Sequence, residues 1–368
     1  MNKAIVDRRE QTSSKEKSIG RHSWLVAPGV YRLKDVFVNV YLIQNTDATE
    51  WVMVDTGLKS TATKVKDLVA EVFGKGSIPK AIIMTHGHFD HRGSLIELAQ
   101  EWSVPVYCHH QELPYLTGEA SYPPADPSVG GGMMSLLSFT YPRGPINVES
   151  SLKELPADGS VPQLEDWRWI HTPGHTPGHI SLFREKDGVL IAGDAFVTTM
   201  QESVLAVATQ KRFVCGPPKY FTPDWGSAAR SVRELAALEP NVVATGHGRA
   251  MYGEEARKEL HKLARNFWKL GMPATGRYVK EAAAFNEDGI ATHIPKPKGT
   301  MLKKIAVAAA LFAIGYIISK QKTHTSGFVK KKLVDQIGGS LKSSAWATLG
   351  ATAAASPALP AIPLIPAI

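Results

Sequence analysis

Cysteine is scarce in this chain. Cys108 and Cys215 are the only two among 368 residues. Two cysteines build no disulfide framework, and such a composition fits a reducing compartment. The opening MNKAIVDRREQTSSKEK holds no apolar core of signal-peptide length, so a cytoplasmic chain with a flexible leader over residues 1–20 is expected. Net charge is also nearly missing from most of the chain. Of the formal +8, residues 301–368 carry eight lysines, no arginine and one acid, Asp335, which leaves 34 basic against 33 acidic side chains in residues 1–300. A body so balanced has no electrostatic footprint for nucleic acid, so no nucleic-acid partner is expected. The apolar run Ile305–Ile318 stops at fourteen residues, short of the roughly 20 that span a bilayer. What remains, 43% hydrophobic and 21% charged residues, is ordinary globular composition.

Short strands are predicted at Trp24–Tyr31, Val36–Ile43 and Trp51–Val54, separated by Gly, Asp and Asn turn signals. Val65, Leu68, Val69 and Val72 repeat at helical spacing within Thr61–Phe73, and Gly74 follows. A strand at Ala81–Met84, a helix across Gly93–Trp102 and a strand at Val104–Tyr107 continue the rhythm of an α/β layered body. Strands return at Trp167–Ile170, Ile180–Phe183, Val189–Ala192 and Val242–Thr245. Helices are expected at Ser227–Leu238, capped by Asp224 or Ser227, and at Glu254–Leu270. Residues 21–298 therefore read as one domain. Residues 111–165, rich in Pro and Gly yet carrying Tyr115, Tyr122, Met134 and Tyr141, break the pattern, as either a lid or a peripheral subdomain.

The chemistry concentrates in THGHFDHRG, Thr85–Gly93. His86, His88, Asp90 and His91 fall within six positions, directly after the Ala81–Met84 strand. His86, His88 and Asp90 alternate, so an extended or gently turning backbone can present them to one side. Asp90 and His91 are adjacent and would point apart, toward two neighbouring ions. Neutral imidazoles with a carboxylate suit zinc and similar borderline metals. A lone histidine is more often a hydrogen-bonded loop residue, and His109, His110, His171, His179 and His261 are available for that reading. Three more residues stand where strands run out: His175 after Trp167–Ile170, Asp194 after Val189-Leu-Ile-Ala-Gly193, and His247 after Val242-Val-Ala-Thr-Gly246. The glycines beside Asp194 and His247 permit tight turns and close approach to an ion.

Taken together, HxHxDH followed by His, Asp and His resembles the metallo-β-lactamase-fold hydrolases over roughly residues 22–295. The resemblance implies an αββα sandwich of two mixed sheets flanked by helices, with a C-terminal appendage. It implies two divalent ions, zinc foremost with iron or manganese as alternatives. His86, His88 and His175 would hold the first, and Asp90, His91 and His247 the second, with Asp194 bridging. Asp55 matches an acid that orients ligands, and His179 a structural histidine. Two such ions lower the pKa of a bridging water, giving hydroxide for attack on a carbonyl. Asp90 is the candidate to take or return the proton.

Within that group, THGHFDHRG resembles the glyoxalase II and lactonase branches, so the expected substrate is a small-molecule ester, thioester or lactone. Lys258, Lys262 and Arg265 could form a glutathione-binding set, but a solvated helical face is the preferred reading. Tyr141 and Tyr220 are candidate donors to a substrate carbonyl, or core residues. The alternatives weighed are a β-lactam or phosphodiester hydrolase, an iron-dependent persulfide oxygenase, and, in another class, a non-catalytic scaffold. The lysine-flanked segment 301–320 is either a membrane-surface helix drawn to anionic lipid or a helix docked on protein. Residues 343–368, rich in Ala and Pro, are low-complexity and suggest no function.

Overall fold

A computed structural model describes residues 15–297. The expected tail features at 301–320 and 343–368, and most of the 1–20 leader, lie outside the described residues. The first sheet has eight strands in sequence order: β1 (Lys17–Ser18), β2 (Ser23–Ala27), β3 (Val30–Asp35), β4 (Val38–Gln44), β5 (Trp51–Val54), β6 (Ile82–Ile83), β7 (Val106–Cys108) and β8 (Leu152–Glu154). The pairs from β1 through β5 are antiparallel, and those from β5 through β8 are parallel. The second sheet has six: β9 (Ser160–Val161), β10 (Leu164–His171), β11 (Ile180–Arg184), β12 (Val189–Ile191), β13 (Val242–Ala244) and β14 (Met251–Tyr252). Only β12 and β13 run parallel there. A small hairpin, β15 (Ala284–Phe285) with β16 (Ala291–His293), completes the strands.

The side-chain period of two explains the layers. Tyr41, Ile43, Val52 and Val54 face inward and pack against Ile180, Leu182, Ile191 and Val242 of the other sheet. Their neighbours Leu42 and Met53 face outward, under α1 (Ala62–Phe73) and α2 (Leu95–Trp102). The outer face of the second sheet, including Phe183, Leu190 and Val243, is covered by α6 (Trp225–Ala237), α7 (Gly253–Arg265) and α8 (Phe267–Leu270). The central strands β4, β5, β6, β11, β12 and β13 are buried on both sides and so read as nearly continuous apolar runs. The expected αββα sandwich of two mixed sheets is what forms. Among the described residues no helix is long and apolar enough to cross a membrane.

Several boundaries differ from the sequence reading. Trp24–Tyr31 is two strands, because Gly29, at φ +69°, makes the β2–β3 turn. Glu254–Leu270 is likewise two helices, α7 and α8, which meet at Asn266. Asp224 caps α6 by accepting the Ser227 N–H at 3.0 Å. Residues 111–165 are less separate than expected. They hold the short helices α3 (Leu113–Leu116) and α4 (Met133–Leu137), but they also supply β8 and β9, an edge strand to each sheet. Beyond them, α5 (Val204–Thr209) had no strong periodic signal.

Candidate metal centre

The site is built at the C-terminal ends of β5, β6, β12 and β13. Parallel pairing puts Val54 opposite Ile83, so Asp55 and Thr85 leave the first sheet side by side. In the second sheet Ile191 pairs with Ala244, so the turns carrying Asp194 and His247 emerge together. Cross-sheet hydrogen bonds join the two rims. Asn39 Nδ2 donates to Thr245 O at 2.8 Å and Gly248 O at 2.7 Å, and Ile180 N donates to Thr85 O at 3.0 Å. His86 and His88 follow β6 on backbone that belongs to no helix or strand. The chain then turns, with His91 N and Arg92 N both donating to His88 O at 3.0 Å.

That turn corrects one expectation. Asp90 and His91 do not simply point apart; their ligand atoms lie with that of His247 in one group within 4.8 Å of one another. Two further groups of the same compactness are His86, His88, His175 and His86, His91, Asp194. The seven candidate residues are thus all brought together, and all are buried. Asp194 sits at the middle: its Oδ2 is 3.1 Å from His247 Nε2, 3.4 Å from His175 Nε2 and 3.5 Å from His91 Nε2. His88 Nδ1 and His175 Nε2 are 2.9 Å apart. Gly246 has no room for a side chain, since a Cβ there would collide with Asp194 Oδ1 and His91 Cε1. The close approach that this glycine permits is therefore to ligand side chains.

Whether the residues fit metal is decided by their unmet valences. His86 Nε2, His91 Nε2 and Asp194 Oδ1 are buried with no hydrogen-bond partner. A buried polar atom left unpaired costs about 1–3 kcal/mol, and three such atoms on the residues of one compact group fit a cation that takes their lone pairs. The outer partners agree. His91 Nδ1 is held by Asp55 Oδ2 at 2.8 Å and His247 Nδ1 by Phe37 O at 2.8 Å, which turns each Nε2 toward the group, His91 Nε2 with no hydrogen bond and His247 Nε2 against Asp194 Oδ2 at 3.1 Å. Asp55 is fixed in turn by Thr85 N at 2.8 Å and Thr85 Oγ1 at 2.7 Å. His179 has both ring nitrogens engaged, with Thr172 Oγ1 at 2.8 Å and Asp194 N at 2.8 Å, and offers none to an ion.

The residues of the site polarise it electrostatically. Burial holds His86 and His88 well below the usual imidazole range, and His175 down to about 3. Burial also disfavours charge on His91 and His247, but Asp194 above all outweighs it and raises both. Burial opposes the Asp194 carboxylate too, yet His247 and His91 keep it well below the normal carboxyl range. Burial pushes Asp90 up.

The family model for the metallo-beta-lactamase superfamily matches residues 33–247, more than half of the chain. The chain belongs to this superfamily. YflN of Bacillus subtilis (strain 168), described as a probable metallo-hydrolase, is 48% identical over 239 residues, covering 65% of this chain and 90% of that protein. YybB of the same organism, also a probable metallo-hydrolase, is 27% identical over 213 residues, 58% of this chain and 82% of its own length. Among solved structures, the BLEG-1 B3 metallo-beta-lactamase is 26% identical at a TM-score of 0.43, with 60% of this chain and 91% of that one covered. As a superfamily member with His/Asp groups able to bind metal, the chain is a metallo-hydrolase in class, and divalent ions are implied.

An aromatic wall flanks the superfamily motif. Phe89 of the motif packs with Ala125, Met134 and Tyr141 of the insert and with Tyr220 and Phe221. The Phe221 ring stacks on His88 at 4.6 Å between centroids. Tyr141 donates its hydroxyl to Met134 O at 3.1 Å and is committed to holding the insert. The Tyr220 phenol is buried, and its pKa is pushed well above the usual value by burial first and then by Asp90 and Tyr141. Lys258, Lys262 and Arg265 lie on the exposed face of α7, and Lys262 pairs with Glu259 at 3.1 Å, as the solvated-face reading expects. The sequence reading missed Phe221, Phe37 and Glu112, all placed by tertiary contact and none part of a recognisable spacing.

Proposed function

We propose that this chain is a dinuclear metal-dependent hydrolase acting on a carbonyl ester, thioester or lactone. The observation that carries the reading is the convergence of seven buried ligand-type residues with three buried atoms left unpaired. In this reading His86, His88 and His175 hold one ion, Asp90, His91 and His247 hold the other, and Asp194 lies between them. When bound, two divalent ions supply Lewis acidity, acidifying a water and polarising a carbonyl. Zinc suits the imidazole and carboxylate donors, and iron or manganese can take the same set.

The protein's own groups do the remaining work. Asp55 fixes the His91 ring through Nδ1. Asp90, at the edge of the group and 3.6 Å from His247 Nε2, is placed to hold or return a proton at its carboxylate. The Tyr220 hydroxyl is the candidate donor to a developing oxyanion. The wall of Phe89, Phe221 and Tyr141 excludes water and favours a substrate with an apolar portion. Residues 21–298 make up this catalytic body.

The test is turnover by the metal-loaded chain of a glutathione thioester, an acyl-homoserine lactone, an aryl ester, a β-lactam and a phosphodiester. Turnover confined to the first three supports the reading. Exclusive β-lactam or phosphodiester turnover assigns another branch, and silence across the panel removes the hydrolytic assignment.

A further inference from the structure

Glu112 lies outside the proposed ligand set, yet it is fully buried and both of its oxygens are saturated by donors. Oε2 takes the Gly87 N–H at 2.9 Å and the Tyr122 hydroxyl. Oε1 takes the Thr176 hydroxyl at 2.6 Å and the Gly178 N–H at 3.0 Å. Gly87 stands between His86 and His88, while Thr176 follows His175 and Gly178 precedes His179. One carboxylate therefore spans the two loops that carry His86, His88 and His175. These loops are otherwise far apart in sequence and belong to different sheets.

The surroundings are shaped for this contact. A Cβ on Gly87 would stand 2.7 Å from the Tyr122 hydroxyl, and one on Gly178 would stand 2.8 Å from Glu112 Cγ. Bare backbone is thus needed on both loops at the points where the clamp closes. Tyr122 is itself held, stacked on Tyr115 at 3.7 Å between centroids and lying 4.5 Å from the His88 ring. Burial pushes the Glu112 pKa up, while Thr176, Tyr122 and the two backbone N–H groups pull against that shift. A buried carboxylate is costly unless it is fully hydrogen-bonded. Two apolar side chains could join two loops without that cost, but they would not set the direction of either backbone. The carboxylate does, because each N–H must aim at an oxygen.

We infer that Glu112 is a positioning residue that clamps the His86–His88 loop to the His175 loop and so holds the three imidazoles at ion-binding separation. It touches no ion and no substrate. An amide in its place has one acceptor oxygen, so whichever way Glu112→Gln is turned, its NH2 group faces a backbone N–H that cannot rotate away.

The experiment is a Zn²⁺ titration of the full-length chain against a chromophoric chelator, wild type beside Glu112→Gln, with folding followed by circular dichroism. The expected result is a folded variant whose affinity for at least one zinc ion falls by about 10- to 100-fold, the range for partners that orient ligands. A purely structural role would lower the stability of the zinc-free chain and leave zinc affinity unchanged; that result overturns the inference. If Glu112→Gln does not fold, Thr176→Val and Thr176→Ser decide. Weakened zinc binding in the first and wild-type binding in the second supports the clamp, and equal binding in both removes it. The inference rests on the metal-site reading above. A wild-type chain that binds no zinc sinks that reading, whereas a zinc-binding wild type with an unaffected Glu112→Gln sinks only the clamp.

Discussion

Asp55 Oδ2 lies 2.8 Å from His91 Nδ1, and the same carboxylate takes the backbone N–H and hydroxyl of Thr85, the residue just before His86. One acid at the end of β5 thus orients a ring on one side of the site and the backbone entering the motif on the other. Asp55→Asn keeps the shape but can place an amide N–H against the His91 N–H. The expected result is a loss of about 10- to 100-fold in metal affinity, measured by chelator competition, with little change in the zinc-free fold. Unchanged affinity would show that the ring is held by packing alone.

Gly246 offers a steric test of the same centre. Gly246→Ala drives a methyl group into Asp194 Oδ1 and His91 Cε1. Overpacking of this kind costs about 1–3 kcal/mol, read as a lower urea midpoint in the metal-free chain. Metal binding should weaken with it, because both residues that must move are proposed ligands. An alanine variant with wild-type stability and metal content would mean that the packing around Gly246 is looser than the geometry describes.

Tyr220 separates catalysis from stability. No other described residue hydrogen-bonds its phenol, so Tyr220→Phe removes no internal bond and should leave the unfolding midpoint unchanged. As the proposed oxyanion donor it should lower kcat/KM by roughly 10²- to 10³-fold, mostly in kcat. Equal kcat/KM in both proteins would move the phenol out of the mechanism.

Acid sensitivity has an identifiable source outside the metal centre. His109 is buried against the His171 ring, 4.1 Å away and stacked, with His110 and Trp169 beside it. Burial first, then His171 and His110, lowers its pKa to about 3. The unfolded chain takes up this proton near pH ~6.5, whereas the folded chain resists until pH is close to 3. The contribution is therefore intact above ~6.5 and is lost progressively as pH falls through that window. With both proteins kept metal-free by chelator, His109→Gln should show a shallower decline in urea midpoint between neutral and mildly acidic pH. Parallel declines would assign the sensitivity to other groups.

Much of the site was legible because its residues are local or punctuated. HxHxDH is a single loop, and Asp194 and His247 each follow an apolar run and a glycine. The fold was legible for a related reason: strands buried on both faces leave long apolar runs with clear ends at Asp55, Gly193 and Gly246. What was not legible depends on distant pairing. Glu112 is an acid in a short helix with nothing nearby to mark it, and its partners lie at Gly87 and Thr176. The divergence expected of Asp90 and His91 failed because a turn stabilised by His88 O replaced extended backbone. Residues 111–165 read as a lid or a peripheral subdomain because β8 and β9 are too short to show a period.

The most direct measurement is metal content by elemental analysis of chain purified without chelator, made in parallel on His88→Ala and His247→Ala. Close to two divalent ions per wild-type chain are expected. Each variant should lose an ion, because the two histidines belong to different groups, and both should lose turnover. Less than one ion per wild-type chain, or two ions retained in both variants, would contradict the dinuclear centre and the function proposed from it.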